Sequence, residues 1–400
     1  MCKDRTVALV DWNWMGHHPM YFKLHLRALL ELGCSVGAFC PKPEEVRLGL
    51  GELSSDARSR LSLHALEWKF APGGCPSRLQ NRASTLLSVR ELTKLIRDWE
   101  TGHGRTVNLV FFPSIYHMHF PIYRLAEWSF PFPWAALYIH SGVFRRALAG
   151  APGSAIPPRV DRIFRSPRLR SMGVLDEGVK EWVESRYGRR IVWFPDLTDT
   201  LVDDRSSIGA ELRRFAAGRP IIGSTGFLKR SKGVLTLAKL ALDGANSDLC
   251  FAFIGEVPWD NYSPEQREVI RSLVEKRPNV FTHFERIPDE GAFNSCIQAC
   301  DVLFAAYLNF ADSSGLLSKA AALRKPIIVS DGFLMAQRVR QYRMGEVVAE
   351  GDADSAIRSI RKILGETEEN RTCEPNWAGY LAQHSYELLK EAFWEVLSGT

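Results

Sequence analysis

Residues 220–233 read Pro-Ile-Ile-Gly-Ser-Thr-Gly-Phe-Leu-Lys-Arg-Ser-Lys-Gly. A short apolar run at Ile221 and Ile222 breaks into Gly223, Ser224, Thr225 and Gly226. The cations Lys229, Arg230 and Lys232 follow, and then an amphipathic stretch at 234–242. That order is strand, small-residue turn, helix. Glycines let a ligand approach the backbone closely, and free amides with cationic side chains suit an anion the size of a phosphate. An ordinary strand-to-helix loop with solvated lysines would read the same way. Further on, Asp312-Ser313-Ser314-Gly315 precedes the alanine-rich stretch 316–323. A second helix N-terminus there offers unpaired N–H groups and the positive end of its dipole. Two such sites in one α/β unit point to a diphosphate held between them.

Histidines mark a second region. Residues 134–139 read as a strand that delivers His140 to its carboxyl end, followed by Ser141 and Gly142. In an open α/β sheet that edge is where ligands sit, and histidine trades protons most readily near neutral pH. A histidine that only hydrogen-bonds within its loop is the competing reading. The β-rich run 6–10 ends at Asp11, and Trp12-Asn13-Trp14-Met15-Gly16-His17-His18-Pro19 follows before an amphipathic stretch at 21–32. Gly16, His17 and His18 therefore belong to the same kind of edge, which makes a polar pocket there an expectation. This loop lacks the Gly-x-Gly-x-x-Gly of a dinucleotide site, which counts against a dehydrogenase.

The elements that must position these residues follow from periodicity. After the stretch closing at Gly33 come a strand at 36–40, a helix near 44–53, a strand near 62–68, a helix at 83–99 and a strand at 107–112. A ring-rich loop follows, with Tyr116, His117, His119, Phe120, Tyr123, Trp128, Phe130, Phe132 and Trp134. Core packing accounts for most of these rings, and a surface subset could contact a lipid or sugar acceptor. A helix at 177–187 and a strand at 191–194 lead to the polar, acidic stretch 196–207, which reads as an interdomain linker. Beyond it, strands near 221, 249–254, 280–284, 302–305 and 326–330 alternate with helices at 234–242, 264–275, 289–299 and 316–323. Such alternation implies a parallel, doubly wound sheet. The last amphipathic stretch, 377–397, has no strand after it and must pack on something already built.

With 400 residues, 46% of them apolar and 24% charged, the chain reads as a soluble protein of two domains. No apolar stretch approaches the roughly 20 residues a spanning helix needs, and 1–14 lacks a signal peptide's apolar region and cleavage site. A cytoplasmic location is expected. The eight cysteines are scattered. Cys296 and Cys300 share a helix spacing without a zinc-type partner, so buried thiols and no metal are expected. Of the net charge of +5, residues 1–205 hold 28 basic against 21 acidic side chains. The densest basic part has Arg145, Arg146, Arg159, Arg162, Arg165, Arg168 and Arg170 against Asp161 alone. That stretch reads either as a solvated loop or as a surface for an anionic acceptor or an anionic membrane, with peripheral contact at the inner membrane face. Nucleic acid is not expected, because no recognition motif accompanies the charge.

Taken together, the chain resembles a GT-B fold glycosyltransferase, and more closely glycosyltransferase family 4 (glycosyl transferases group 1). Gly226 with Lys232-Gly233 resembles that family's glycine, arginine, lysine-glycine pattern. Residues 279–304, through Ala299-Cys300-Asp301, resemble its strand, acidic helix and Ala-Cys-Asp segment. Ser313-Ser314-Gly315 through Lys325-Pro326 and Val329-Ser330 resembles its donor-binding loop, helix and following strand. His140 falls where such enzymes carry a histidine near the donor sugar, and Trp193-Phe194-Pro195-Asp196 falls at the end of the first domain. The resemblance implies two Rossmann-like, doubly wound parallel-sheet domains facing a cleft: residues 1–205 as the acceptor domain, joined by a returning C-terminal helix at 377–400, and 206–376 as the nucleotide-sugar donor domain.

The resemblance implies transfer of a sugar from a nucleoside-diphosphate donor to a glycan, lipid-linked or small-molecule acceptor, with retention of configuration, as in polysaccharide biosynthesis, and with no metal or other cofactor. Donor contacts fall to Gly226, Lys229, Arg230, Lys232, Asp312, Ser313, Ser314, Gly315, Ser318 and Lys319, with His140 as the catalytic candidate and Gly16, His17 and His18 in the N-terminal loop. Departures bear on this. Phe227 stands where the family has arginine, and Ala311 and Lys319 stand where it has two glutamates eight residues apart. A glutamate accepts hydrogen bonds from sugar hydroxyls and an ammonium has no lone pair to do so. Lys319 would instead meet a phosphate, or Asp312 and Ser318 would take over the hydroxyl contact. The alternative is a non-catalytic, nucleotide-sugar-binding scaffold.

Overall fold

The computed structural model describes all residues except 1–4, 70–77, 116–119, 151–152, 204, 206, 276, 288, 366–373 and 400, and the side chains of 78, 121 and 207. The chain forms two compact units: residues 1–195 with 385–400, and residues 196–384. No described helix is long and apolar enough to cross a membrane.

Among the described residues the first unit holds seven strands, β1 (Thr6–Val10), β2 (Ser35–Cys40), β3 (Leu61–Ala65), β4 (Leu109–Phe112), β5 (Trp134–Tyr138), β6 (Leu169–Val174) and β7 (Arg190–Trp193), in the order β3-β2-β1-β4-β5-β6-β7. All pairings are parallel. Central β1, β4 and β5 are buried along their length, as strands covered on both faces by helices must be. Strand order reverses between β1 and β4, and in open α/β sheets the carboxyl edge at such a reversal is where ligands bind.

The second unit repeats the scheme with β8 (Ile221–Thr225), β9 (Cys250–Ile254), β10 (Val280–His283), β11 (Val302–Ala305), β12 (Ile327–Ser330) and β13 (Gly345–Val348), in the order β10-β9-β8-β11-β12-β13. These pairings are parallel as well. Its reversal falls between β8 and β11, the two strands that precede the glycine-lysine turn and the Ser313-Ser314 turn.

Several expectations change. The helix near 44–53 is two short ones, Pro43–Gly49 and Ser55–Ser59. The basic stretch holds the helices Gly142–Leu148 and Pro158–Phe164, and much of its charge is engaged inside the unit. Arg145 grips the buried carboxylate of Asp176, Arg162 reaches Glu127 at 3.1 Å, Arg168 donates to the Pro131 carbonyl at 3.0 Å, and Arg165 lies over the Tyr187 ring. In the ring-rich loop, Phe120, Phe130, Phe132 and Trp134 are core residues, whereas Trp128 is 80% exposed. Tyr116, His117 and His119 lie outside the described residues.

The stretch read as a linker is bound into the second unit. Asn294 Nδ2 donates to the carbonyls of Asp199 and Leu201 at 3.1 and 2.7 Å, and the Asp203 N–H donates to the Gly291 carbonyl. The compact units consequently divide at 195/196 rather than 205/206. The terminal amphipathic stretch is also two helices, Trp377–Gln383 and Tyr386–Ser398, each with its own side-chain N-cap, Asn376 and Ser385. The first buries Tyr380 in the core of the second unit, with its ring 5.3 Å from that of Tyr342. The second buries Phe393 among Phe111, Phe194 and His25 of the first unit.

His25 lies 1% exposed in that aromatic cluster, and burial depresses its pKa to about 3. An unfolded histidine titrates near 6.5, so the unfolded chain binds an extra proton between those values and stability falls as pH drops below 6.5. The cost is up to about 1.4 kcal/mol per pH unit for each such ring. Urea unfolding of the whole chain is expected to show lower stability at pH 5 than at pH 7.5. His25→Phe, which fits among the rings, is expected to flatten that slope by about one proton's share; an unchanged slope would exclude the buried neutral histidine as a source.

Candidate functional site

In the second unit β8 ends at Thr225, and the chain turns at Gly226 with φ +94°, its N–H bound to the Ile254 carbonyl at 2.9 Å. Lys229 opens a single 3-10 turn, Arg230–Lys232, closed by a Lys232 N–H to Lys229 carbonyl bond of 2.8 Å. Gly233 then takes φ +71° and starts the helix Val234–Leu242. Two constraints require glycine at 233. The left-handed conformation is one, and the other is space: a Cβ there would stand 2.2 Å from the Ala306 carbonyl oxygen, in the loop beyond β11. That approach brings the two loops together, and the Leu308 N–H seals them with a 2.8 Å bond to the Ser231 carbonyl.

Tyr307, 3% exposed and two residues beyond β11, joins the charged groups. Lys232 Nζ donates to its hydroxyl at 3.1 Å and sits 4.7 Å from its ring centroid. The same hydroxyl lies 3.4 Å from Ser314 Oγ, the side-chain N-cap of the helix Gly315–Ala322. A cation, an aromatic hydroxyl and a helix N-terminus thus form one chain across the switch point, an arrangement that attracts an anion with more than one phosphate. Lys229 is half-buried beside it, while Arg230, Gly315 and Phe227 are exposed. Phe293, from the helix Glu290–Ala299, reaches within 3.9 Å of where a Cβ on Gly226 would stand. The sequence reading missed Tyr307 and Phe293 because each is an aromatic after or within a buried run, indistinguishable from core.

Asp312 is half-buried at the start of the second turn. Ser313, Ser318 and Lys319 are held by the protein itself. Ser313 Oγ donates to the Asp196 carboxylate and accepts from Arg338 Nη1 at 2.8 Å. Ser318 Oγ donates to the Asp196 carbonyl at 2.6 Å and meets Tyr380 Oη at 3.0 Å. Lys319 Nζ lies 2.6 Å from Asn294 Oδ1, 2.8 Å from Glu290 Oε2 and 3.0 Å from the Asp199 carbonyl. An ammonium has three donors and these three acceptors use them, so Lys319 ties the segment after Asp196 to the helix Glu290–Ala299 and has none left for a phosphate. Ser318, 3% exposed and engaged twice, is likewise a structural group.

The first unit gathers its histidines at the carboxyl edge of its sheet. His18, 2% exposed, sits 2.7 Å by Nδ1 from Asp11 Oδ2 and 3.1 Å by Nε2 from Asn13 Nδ2. The Asn13 amide donates to Nε2, so Nδ1 carries the proton given to Asp11. Burial raises the Asp11 pKa, a shift opposed by the hydrogen bond from His18. His17 stacks on His18 with ring centroids 4.9 Å apart and meets Tyr21 edge-on. Its Nε2 is shielded from solvent and, among the described residues, has no hydrogen-bond partner. Burial, with His18 and His140 adding to it, lowers its pKa to about 3, so His17 is a neutral imidazole at neutral pH. Gly16, at φ +60° with open space around it, leads into this pair, and His140 is exposed two residues beyond β5. Among the described residues no group of three or more His, Cys, Asp or Glu gathers as a metal site.

Gly233→Ala is expected to destabilise the chain by about 2 kcal/mol or more, from the left-handed backbone and the clash with Ala306 together. Urea unfolding measures it, and a loss below about 0.5 kcal/mol would mean that the two loops do not need this approach.

No protein-family model matches the chain, and no curated protein sequence does. Solved structures do. HepE from Anabaena, in complex with UDP and glucose, superposes with a TM-score of 0.67 at 12% identity, over 99% of this chain and 100% of that one. Sucrose-phosphate synthase from Thermosynechococcus elongatus gives 0.60 at 18% identity, over 98% and 97%. A trehalose-phosphate synthase from Burkholderia vietnamiensis gives 0.64 at 12%, over 99% of each. What is shared at such identities, over nearly the whole of each chain, is the architecture: this chain has the GT-B fold of the glycosyltransferases.

Proposed function

We propose that the protein transfers a sugar from a nucleoside-diphosphate donor, with the diphosphate held across the two turns of the second unit. The observation that carries this is the Lys232–Tyr307–Ser314 chain at the β8/β11 switch point. Solved structures of the same fold support it, since HepE has been crystallised with UDP and with UDP-glucose. Lys232, Lys229 or Arg230, and the amides at Ser314 and Gly315 would stabilise the leaving diphosphate as the glycosidic bond breaks, whereas the Gly226 amide is spent on the Ile254 carbonyl. No metal ion is assigned a part, retention of configuration is proposed from the family resemblance, and no carboxylate nucleophile is named. Asp312 is the remaining candidate for hydroxyl contact in the second turn. His140 is assigned to the donor sugar or the acceptor hydroxyl.

The acceptor is proposed to be a glycan or lipid-linked molecule. Peripheral contact with an anionic membrane is kept on narrower ground than the basic stretch, namely Trp128 and Leu125, 80% and 70% exposed beside Arg124. A second reading is favoured by one observation. Lys319 stands where the resembled family has a glutamate and is consumed by protein contacts, which fits a binding protein without turnover. Donor binding and donor hydrolysis measured separately tell the two apart.

Lys232→Ala is expected to weaken UDP binding by about 1.5 to 3 kcal/mol, roughly tenfold or more, and Tyr307→Phe by a smaller factor through loss of the bridge to Ser314. Calorimetry with UDP, ADP and GDP checks this, and unchanged affinity in Lys232→Ala would remove the phosphate assignment. His140→Ala is expected to keep near-normal thermal unfolding while turnover drops by about a hundredfold. A lowered melting temperature with activity per folded molecule retained would make His140 a structural residue instead.

A further inference from the structure

The second unit buries a charged network that the proposed chemistry does not use. Arg338, on the helix Leu334–Tyr342, is 0% exposed, and Asp196 is 2% exposed. Arg338 Nη1 lies 3.6 Å from Asp196 Oδ2 and donates to Ser313 Oγ at 2.8 Å, and that hydroxyl in turn donates to the Asp196 carboxylate. The rest of Asp196 is held as firmly. Its carbonyl accepts from Ser318, and its N–H donates to Nδ1 of His384, a ring kept neutral by burial and by the nearby Arg338. A buried ion pair contributes little net stability against an apolar replacement, but loss of one partner leaves an uncompensated charge. Such an arrangement fixes geometry more than it adds stability. What it fixes is Ser313, the residue before the N-cap Ser314.

We infer that Arg338 and Asp196 are positioning residues for the anion-binding turn: together they clamp Ser313 and thereby aim the Ser314 hydroxyl and the Gly315 amide, at the start of the helix Gly315–Ala322, at the ligand. Neither touches the ligand. The pair acts through the turn, and it ties that turn to Asp196 and His384, the residues at which the chain enters and leaves this unit. The inference rests on the reading of the turn as a diphosphate site, and its effect is read in two independent ways.

The experiment compares wild type, Arg338→Gln, Asp196→Asn and the double variant as full-length chains, by UDP calorimetry corrected for folded fraction and by hydrogen exchange of residues 313–317. Arg338→Gln is expected to weaken UDP binding about tenfold or more and to speed exchange in 313–317 beyond any global change. The double variant, which removes both charges that hold Ser313, is expected to bind UDP no more tightly than Arg338→Gln, with a stability loss smaller than the sum of the two single losses because the sites are coupled. Equal UDP affinity in wild type and Arg338→Gln, or exchange in 313–317 that changes only in step with global stability, would overturn the inference. If wild type binds no nucleotide, the diphosphate reading fails and the exchange comparison alone decides whether Arg338 holds the turn. Should Arg338→Gln not fold, Arg338→Lys, which keeps the charge but not the planar fork, replaces it with the same readouts and the same deciding outcomes.

Discussion

Everything proposed for the second unit depends on two loops touching backbone to backbone, with Gly233 against Ala306 and Leu308 N–H on Ser231. Parallel strands wound in opposite directions from a switch point send their following helices to opposite faces, so the loops beyond β8 and β11 would otherwise diverge. A residue without Cβ lets them meet instead. Only then can Lys232, which follows β8, reach a tyrosine that follows β11, and only then do two weak anion-binding elements become one site. Charge alone would not do this, because a solvated lysine beside a helix N-terminus loses most of its attraction to water and salt.

The buried cations of this unit separate by role. Lys319 and Arg338 lie deep, and their partners are protein groups: Glu290, Asn294 and a backbone carbonyl for one, Ser313 and Asp196 for the other. Lys232 is half-buried and leans on a hydroxyl and a ring face, which leave its charge uncompensated by any carboxylate among its described contacts. A cation neutralised by a carboxylate has little field left for a ligand, whereas one supported by an aromatic face keeps it. This difference is why the proposed anion is assigned to Lys232.

How much of this was legible in the sequence depends on the range of the interaction. Strand and helix order in the second unit could be read from apolar periodicity out to β12, and glycine-lysine and Ser-Ser-Gly spacings located both turns, because each signal is local. Strand β13 and the helix carrying Arg338 were not read at all, since Gly345–Val348 is short and an arginine on a helix looks solvated until its burial is known. Lys319 misled for the same reason: an ammonium near a helix start suggests phosphate, and its three acceptors come from positions far away in the sequence. The linker failed too. Residues 196–203 are polar as linkers are, but their carbonyls are satisfied by Asn294 and Lys319, a long-range fact invisible to composition.

The single hydrogen bond from Asp196 N–H to His384 Nδ1, 3.0 Å long, has a consequence for folding order. The second unit is an insertion into the first, interrupting it between β7 and the last helix, and its two ends are joined side by side. While the insertion is unfolded, bringing the helix Tyr386–Ser398 to the aromatic cluster around His25 requires closing a loop of nearly two hundred residues, an entropic cost of about 4 to 5 kcal/mol. Once the insertion has folded, its ends are already adjacent and most of that cost disappears. The inserted unit thus acts as a template for the unit that hosts it: Phe393 can reach its place among Phe111 and Phe194 early only if Asp196 and His384 have already met.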